Sequence, residues 1–142
     1  MSELASIDIE LNEKLNPLNF IEGCTNSNWS FNNSQELVYL PLGDDGMFDW
    51  KCINSKGWQT IEHEIRQKEL SNETIGLVMI DTSSNSGGEL LLWSGYDSLS
   101  LSLSINAKKT EKGIDFEYYA TKLKSTLESV GASISKIEYE LR

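Results

Sequence analysis

Two stretches of the chain alternate strictly between apolar and polar residues. Ala5, Ile7, Ile9 and Leu11 are separated by Ser6, Asp8 and Glu10. This is the period-two pattern of a strand with one buried face. Leu99, Leu101, Leu103 and Ile105 alternate in the same way with Ser98, Ser100, Ser102 and Ser104. Residues 98–105 therefore predict a strand with leucines toward the core and four serines on its other face. Ile75 to Asp81 is apolar at nearly every position, as in a strand covered on both faces. Leu90 to Trp93 is a second short apolar run, reached through a predicted flexible turn, Ser83-Ser84-Asn85-Ser86-Gly87-Gly88. Strands joined by such short turns predict an antiparallel meander. Further strands are expected at Leu37–Leu40, ended by Pro41, and at Met47–Ile53, with Phe48, Trp50 and Cys52 on one face. A last one is expected from Ser133 to Leu141, with Ile137, Tyr139 and Leu141 on one face.

Helical spacing occurs twice. Trp58, Ile61 and Ile65 share one side of a predicted helix from Lys56 to Leu70, capped by Ser55 and stopped at Ser71-Asn72. Glu62 and Arg66, and Glu64 and Lys68, form i,i+4 pairs in the favourable order. Asp115 opens a second helix whose apolar stripe is Phe116, Tyr119, Leu123, Leu127 and Val130. Asp115 and Glu117 sit at its positive end, and Gly131 is a left-handed cap. Asn16-Pro17 breaks the first strand. Residues 22–36 read as loop with a short strand around Trp29 and Phe31, and Gly43-Asp44-Asp45-Gly46 reads as a turn. No β-α-β alternation runs through the chain. The expected fold is α+β: an antiparallel-dominated sheet with two helices packed on one face, in one globular domain over residues 1–142.

Composition narrows the class. The chain has 142 residues, 39% of them hydrophobic, enough for a working core. No apolar run approaches the roughly 18 residues of a spanning helix. Met1-Ser2-Glu3-Leu4 lacks the basic and apolar regions of a secretory leader. A cytoplasmic protein with no membrane contact is expected. Cys24 and Cys52 form no CxxC motif and read as reduced, largely buried thiols. The net charge of -10 is uneven: residues 1–107 hold sixteen acids and five bases, residues 108–142 six acids and seven bases. An acidic field repels phosphate backbones and anionic membranes and attracts cationic partners. Lys108, Lys109, Lys112, Lys122 and Lys124 form a local basic cluster without an RNA-binding aromatic motif. Direct nucleic-acid binding is not expected.

Nothing along the chain resembles an active site. The single histidine, His63, falls on the predicted helix among Gln59, Glu62, Glu64 and Gln67, the position of an exposed helix residue. One histidine and two scattered cysteines do not make a zinc site of the usual kind. Phosphate-binding and nucleophile-elbow motifs are missing. A non-enzymatic protein with no cofactor and no metal is expected. Asp44, Asp45 and Asp49 lack the spacing of a calcium loop. Three readings of that turn stay open: a solvated acidic turn, a weak metal or carboxylate site, or a partner surface. Phe48 and Trp50 are interleaved with these acids, and Trp58, Glu62 and Glu64 follow. Aromatic anchors ringed by carboxylates suit a basic partner. Candidate partner-binding residues are Asp44, Asp45, Phe48, Asp49, Trp50, Glu62 and Glu64. The competing reading is that Trp50, Trp58 and Trp93 are core, with at least two of the four tryptophans buried.

The segment from Trp50 to Tyr119 carries a Trp-bearing strand, a helix and Glu73-Thr74-Ile75-Gly76-Leu77. Gly87-Gly88-Glu89-Leu90-Leu91-Leu92-Trp93 follows, then the Leu/Ser strand ending in Ile105-Asn106, and Asp115-Phe116-x-x-Tyr119 opens the last helix. This half of the chain resembles small immunity proteins of bacterial toxin systems, in particular those of contact-dependent growth inhibition. The resemblance implies a cytosolic inhibitor of one cognate toxin. It would block a toxic C-terminal domain, often a basic nuclease, by covering the cleft or a nearby exosite without chemistry. The same features also suit another non-catalytic binding module, such as an adaptor, an effector chaperone or a DNA mimic.

Overall fold

The computed structural model describes residues 5–44 and 46–141. In chain order the elements are β1 (Ala5–Leu11), α1 (Pro17–Asn26), β2 (Trp29–Ser30), β3 (Glu36–Tyr39), β4 (Lys51–Asn54) and α2 (Trp58–Ser71). Then come β5 (Ile75–Asp81), β6 (Ser86–Leu92), β7 (Ser98–Ser102), β8 (Lys109–Thr110), β9 (Gly113–Ile114), α3 (Phe116–Ser129) and β10 (Ile134–Leu141). The fold is α+β. Its main sheet runs β10-β1-β7-β6-β5-β3-β4, with β2 beside the far end of β5. Each of its ladders is antiparallel. The expected meander β5-β6-β7 forms its centre, and the two terminal strands pair with each other at one edge.

The periodicity of each strand explains which face it buries. Ala5, Ile7, Ile9 and Leu11 of β1 join Leu99 and Leu101 of β7 and Leu90 and Leu92 of β6 in one core cluster. Against them pack Phe20, Ile21 and Cys24 of α1, Ile61 and Ile65 of α2, and Tyr119, Leu123 and Leu127 of α3. All three helices thus cover the same face of the sheet. Each fully buried leucine contributes about 2 kcal/mol of transfer free energy.

The third helix, α1, falls where a break and a loop were expected. Asn16-Pro17 does end the β1 pattern, but it also begins a helix. The Asn16 side chain accepts a hydrogen bond from Asn19 N at 3.1 Å, and Pro17 needs no donor in the first turn. Ser55 does not cap α2: Asn54 caps a short 3-10 turn at Ser55–Gly57, accepting from Lys56 N at 2.9 Å, and α2 follows from Gly57 without a side-chain cap. Ser83–Gly88 is a turn only in its first half. Gly87 and Gly88 lie within β6, where added Cβ atoms would stand 2.0 Å from the Met79 carbonyl oxygen and 1.8 Å from that of Ser102. These two glycines let three strands approach closely. The charged stretch 108–113 folds in part into a small hairpin, β8–β9. The expected strand Met47–Ile53 shortens to β4, because Phe48 turns into a left-handed conformation with φ 54°.

Of the tryptophans, only Trp29 is fully buried. Trp58 packs against the core from its margin, and Trp93 is 36% exposed. Cys24 is buried, where desolvation raises its pKa, but Cys52 is exposed, contrary to the expectation of two buried thiols.

A candidate partner-binding face

The face of the sheet opposite the helices is where chemistry remains exposed. On β1 it presents Ser6, Asp8 and Glu10, on β10 Lys136, Glu138 and Glu140, and on β7 Ser98, Ser100 and Ser102, in cross-strand register. Glu89 and Leu91 of β6 complete it. Among the described residues of these strands, five carboxylates therefore share this face with one lysine. The alternation that sends leucines to the core sends these side chains outward. Between Asp8, Glu89, Trp93, Ser100 and Ser102 lies a shallow trough of about 390 Å³.

An ordered chain of contacts links this face to the predicted acidic turn. Phe48 meets Trp93 edge to face with centroids 6.2 Å apart. The Trp93 indole donates to Ser100 Oγ at 2.8 Å, and Ser100 Oγ donates to Asp8 Oδ1 at 2.6 Å. Ser104 Oγ donates to Glu89 Oε2 at 2.7 Å. Two large rings, both partly exposed, thus stand at the rim of an acidic floor. Trp50 lies beneath, half-buried. The missing Cβ of Gly76 makes room for its ring and for Leu40, both within 2.8 Å of where that atom would be.

The turn itself uses several of its carboxylates internally. Asp44 accepts from Phe48 N and Asp49 N, each at 2.8 Å, and so sets the backbone that presents Phe48. Glu64 accepts from Leu42 N at 2.9 Å, and Glu73 from Gly43 N at 2.7 Å. Asp49 is exposed, and Asp45 lies outside the described residues. Asp44, Phe48, Asp49, Trp50 and Glu64 are therefore neighbours around one turn. Glu62 is not among them. Two residues apart on a helix point about 160° away from one another, so Glu62 lines a different feature. That feature is a cleft of about 920 Å³ between α1 and α2, floored by Leu18, Ile21 and the stacked rings of Phe31 and Trp58. There Glu62 pairs with Arg66 at 2.8 Å.

Sequence reasoning placed the aromatic-acidic turn but missed Trp93 and the sheet face. The alternation in β1 and β7 was legible, but which strands would stand side by side was not. Buried polar groups elsewhere serve the fold. Asp81 is fully buried and takes hydrogen bonds from Lys122, Tyr118 and, at 2.6 Å, Ser84. Burial pushes its carboxyl up, yet the hydrogen bonds from Lys122, Ser84, Tyr118 and the Ser83 backbone outweigh it and hold the pKa at about 2. Ser86 continues the network to Tyr119 at 2.5 Å. Two members of the predicted basic cluster are engaged here: Lys122 with Asp81, and Lys108 over the Tyr118 ring at 4.2 Å. His63 is exposed on α2. Among the described residues no three His, Cys, Asp or Glu side chains stand close enough together to hold a metal ion, and no helix is long and apolar enough to cross a membrane.

The fold and this face define an α+β protein with an aromatic-rimmed acidic sheet surface. Compared with known proteins, the chain matches no family model, no curated protein and no solved structure.

Proposed function

We propose that this protein is an immunity-type inhibitor that binds and neutralises a basic, nuclease-like toxin domain in the cytoplasm. It acts by contact alone, with no cofactor and no reaction of its own. One observation carries the reading: among the described residues, the outer sheet face sets Asp8, Glu10, Glu89, Glu138 and Glu140 against Lys136, with Phe48 and Trp93 partly exposed at its rim. Carboxylates steer and pair with the Lys and Arg of a cleft built for phosphate, and the two rings supply the apolar anchor. Asp44 and Glu64 position the turn, while Asp49 adds charge beside Phe48. The resemblance of Trp50–Tyr119 to small immunity proteins agrees with this assignment. The competing assignments, an adaptor, an effector chaperone or a DNA mimic, would use the same face with a different basic partner or an unfolded one.

The test is purification of the tagged protein from its native host at low salt. The captured partner is identified, then expressed alone and together with this chain. A basic domain that arrests growth alone, is silenced by co-expression, and is released by about 0.5 M salt supports the reading, since screening shortens the reach of charge to a few ångströms. A non-toxic partner, or association indifferent to salt, rejects it.

A further inference from the structure

β10 is the outermost strand of the sheet, eight residues long and without proline or glycine. The direction of its unpaired backbone groups follows from β1. Leu103 N donates to Ala5 O at 2.8 Å, and Leu11 N donates to Asp97 O at 2.8 Å, so the odd residues of β1 turn their backbone away from β10. Antiparallel ladders alternate. Ser6, Asp8 and Glu10 therefore face β10, and their partners Glu140, Glu138 and Lys136 face β1. That leaves the N–H and C=O groups of Ile137 and Tyr139 directed outward, in the row that templates addition of another strand.

We propose that a second copy of this chain docks on that row, β10 against β10, about a two-fold axis through Ile137. The charge pattern selects the register. A two-fold axis perpendicular to the sheet sets residues of the same face opposite each other. Centred on Ile137, the pairing places Lys136 opposite Glu138 of the second copy, twice, with Ser135 opposite Tyr139. Centred on Lys136 it would oppose two lysines, and centred on Glu138 or Glu140 two glutamates. Centred on Tyr139 it would oppose Glu138 to Glu140. Between Lys136 and Glu140 only the Ile137 register avoids like charges. The register shift opposite Glu10 and Leu11 limits the regular ladder near Ser135, so the contact is short and the dimer weak. Lys136 and Glu138 already pair within the strand, with both side chains more than half exposed, and they exchange this contact for the cross-copy one. The inference is independent of the proposed inhibitor role. Its geometry would set two acidic sheet faces side by side on the same surface of one continuous sheet.

Sedimentation equilibrium of the full chain at about 0.15 M salt, a condition that screens the net charges of the two copies, tests this with Lys136→Glu and Glu138→Lys. The wild type is expected to dimerise reversibly up to about 500 µM. Each variant alone, facing like charges, should be monomeric over that range. An equimolar mixture of the two should dimerise again, because each copy then meets opposite charge at both positions. Both side chains are exposed, and circular dichroism confirms that the variants fold. A wild type that stays monomeric, single variants that dimerise like the wild type, or a mixture that stays monomeric would each overturn the proposal.

Discussion

Trp93 and Asp8 are joined through one hydroxyl: Ser100 Oγ accepts from the indole at 2.8 Å and donates to the carboxylate at 2.6 Å. The link fixes the ring at the rim of the sheet face, where Phe48 packs against its edge. A preset ring loses little side-chain entropy when a partner covers it.

Trp93→Ala is accordingly expected to weaken binding of the proposed partner domain by 10- to 100-fold, about 1.4–2.8 kcal/mol, with a shift of only a few degrees in Tm. Glu62→Gln, on the α1–α2 cleft, should leave affinity within about twofold. Isothermal titration of both variants against the captured domain checks the pair. Equal losses would remove the sheet face from the proposed interface.

The Asp81–Lys122 pair predicts the response to acid. The folded pKa of Asp81, about 2, lies below its ordinary value of 3.8. A depressed carboxyl stabilises the fold above the ordinary value and loses that contribution as pH falls from about 4 to about 2. The loss is on the order of 2 kcal/mol. Asp81→Asn should cost about 3 kcal/mol at pH 7 by removing the countercharge of the largely buried Lys122, which keeps the Asn28 carbonyl at 3.0 Å, and should flatten the acid limb of a denaturation series. Asp81→Asn with Lys122→Met should recover part of that loss. Urea denaturation at pH 7 and pH 3 measures both.

Gly88→Ala should be among the most destabilising single changes, at about 3 kcal/mol or more, because its Cβ would stand 1.8 Å from the Ser102 carbonyl oxygen in the adjacent strand. Gly43→Ala offers the contrast. Nothing lies within 4 Å of its Cβ, and only its φ of 77° opposes the change, so about 1 kcal/mol is expected. Chemical denaturation of the two variants should separate them clearly.

Lys68 continues the buried stripe of α2 after Ile61 and Ile65 and donates to the Thr74 carbonyl at 2.7 Å. Burial lowers its pKa, with Glu73, Asp44 and Glu64 opposing in part. In the window between that lowered value and 10.5 the unfolded chain holds the proton and the folded one does not, so stability from this group rises with pH. Lys68→Met should abolish that rise in denaturation midpoints measured as pH climbs toward 10.5. An unchanged slope would assign it to another group.

The sequence by itself determined the local periods. Alternation at residues 5–11 and 98–103 settled which side chains leave the core, although β7 ends at Ser102 and Ile105 is only half-buried, and the stripe from Phe116 to Val130 settled which side of α3 enters it. These signals are local, because a strand repeats every two residues and a helix every 3.6. Where two local meanings compete, the chain alone was ambiguous. Asn16-Pro17 ends a strand and caps a helix with the same chemistry, and Gly87-Gly88 suits a turn as well as a crowded ladder. Only the tertiary structure decided between them, through the packing of Phe20 and Cys24 and the closeness of Met79 and Ser102. It alone also placed β1 between β7 and β10 and brought Trp93 to Phe48. Those contacts join residues tens of positions apart, and no short-range pattern encodes which strands become neighbours.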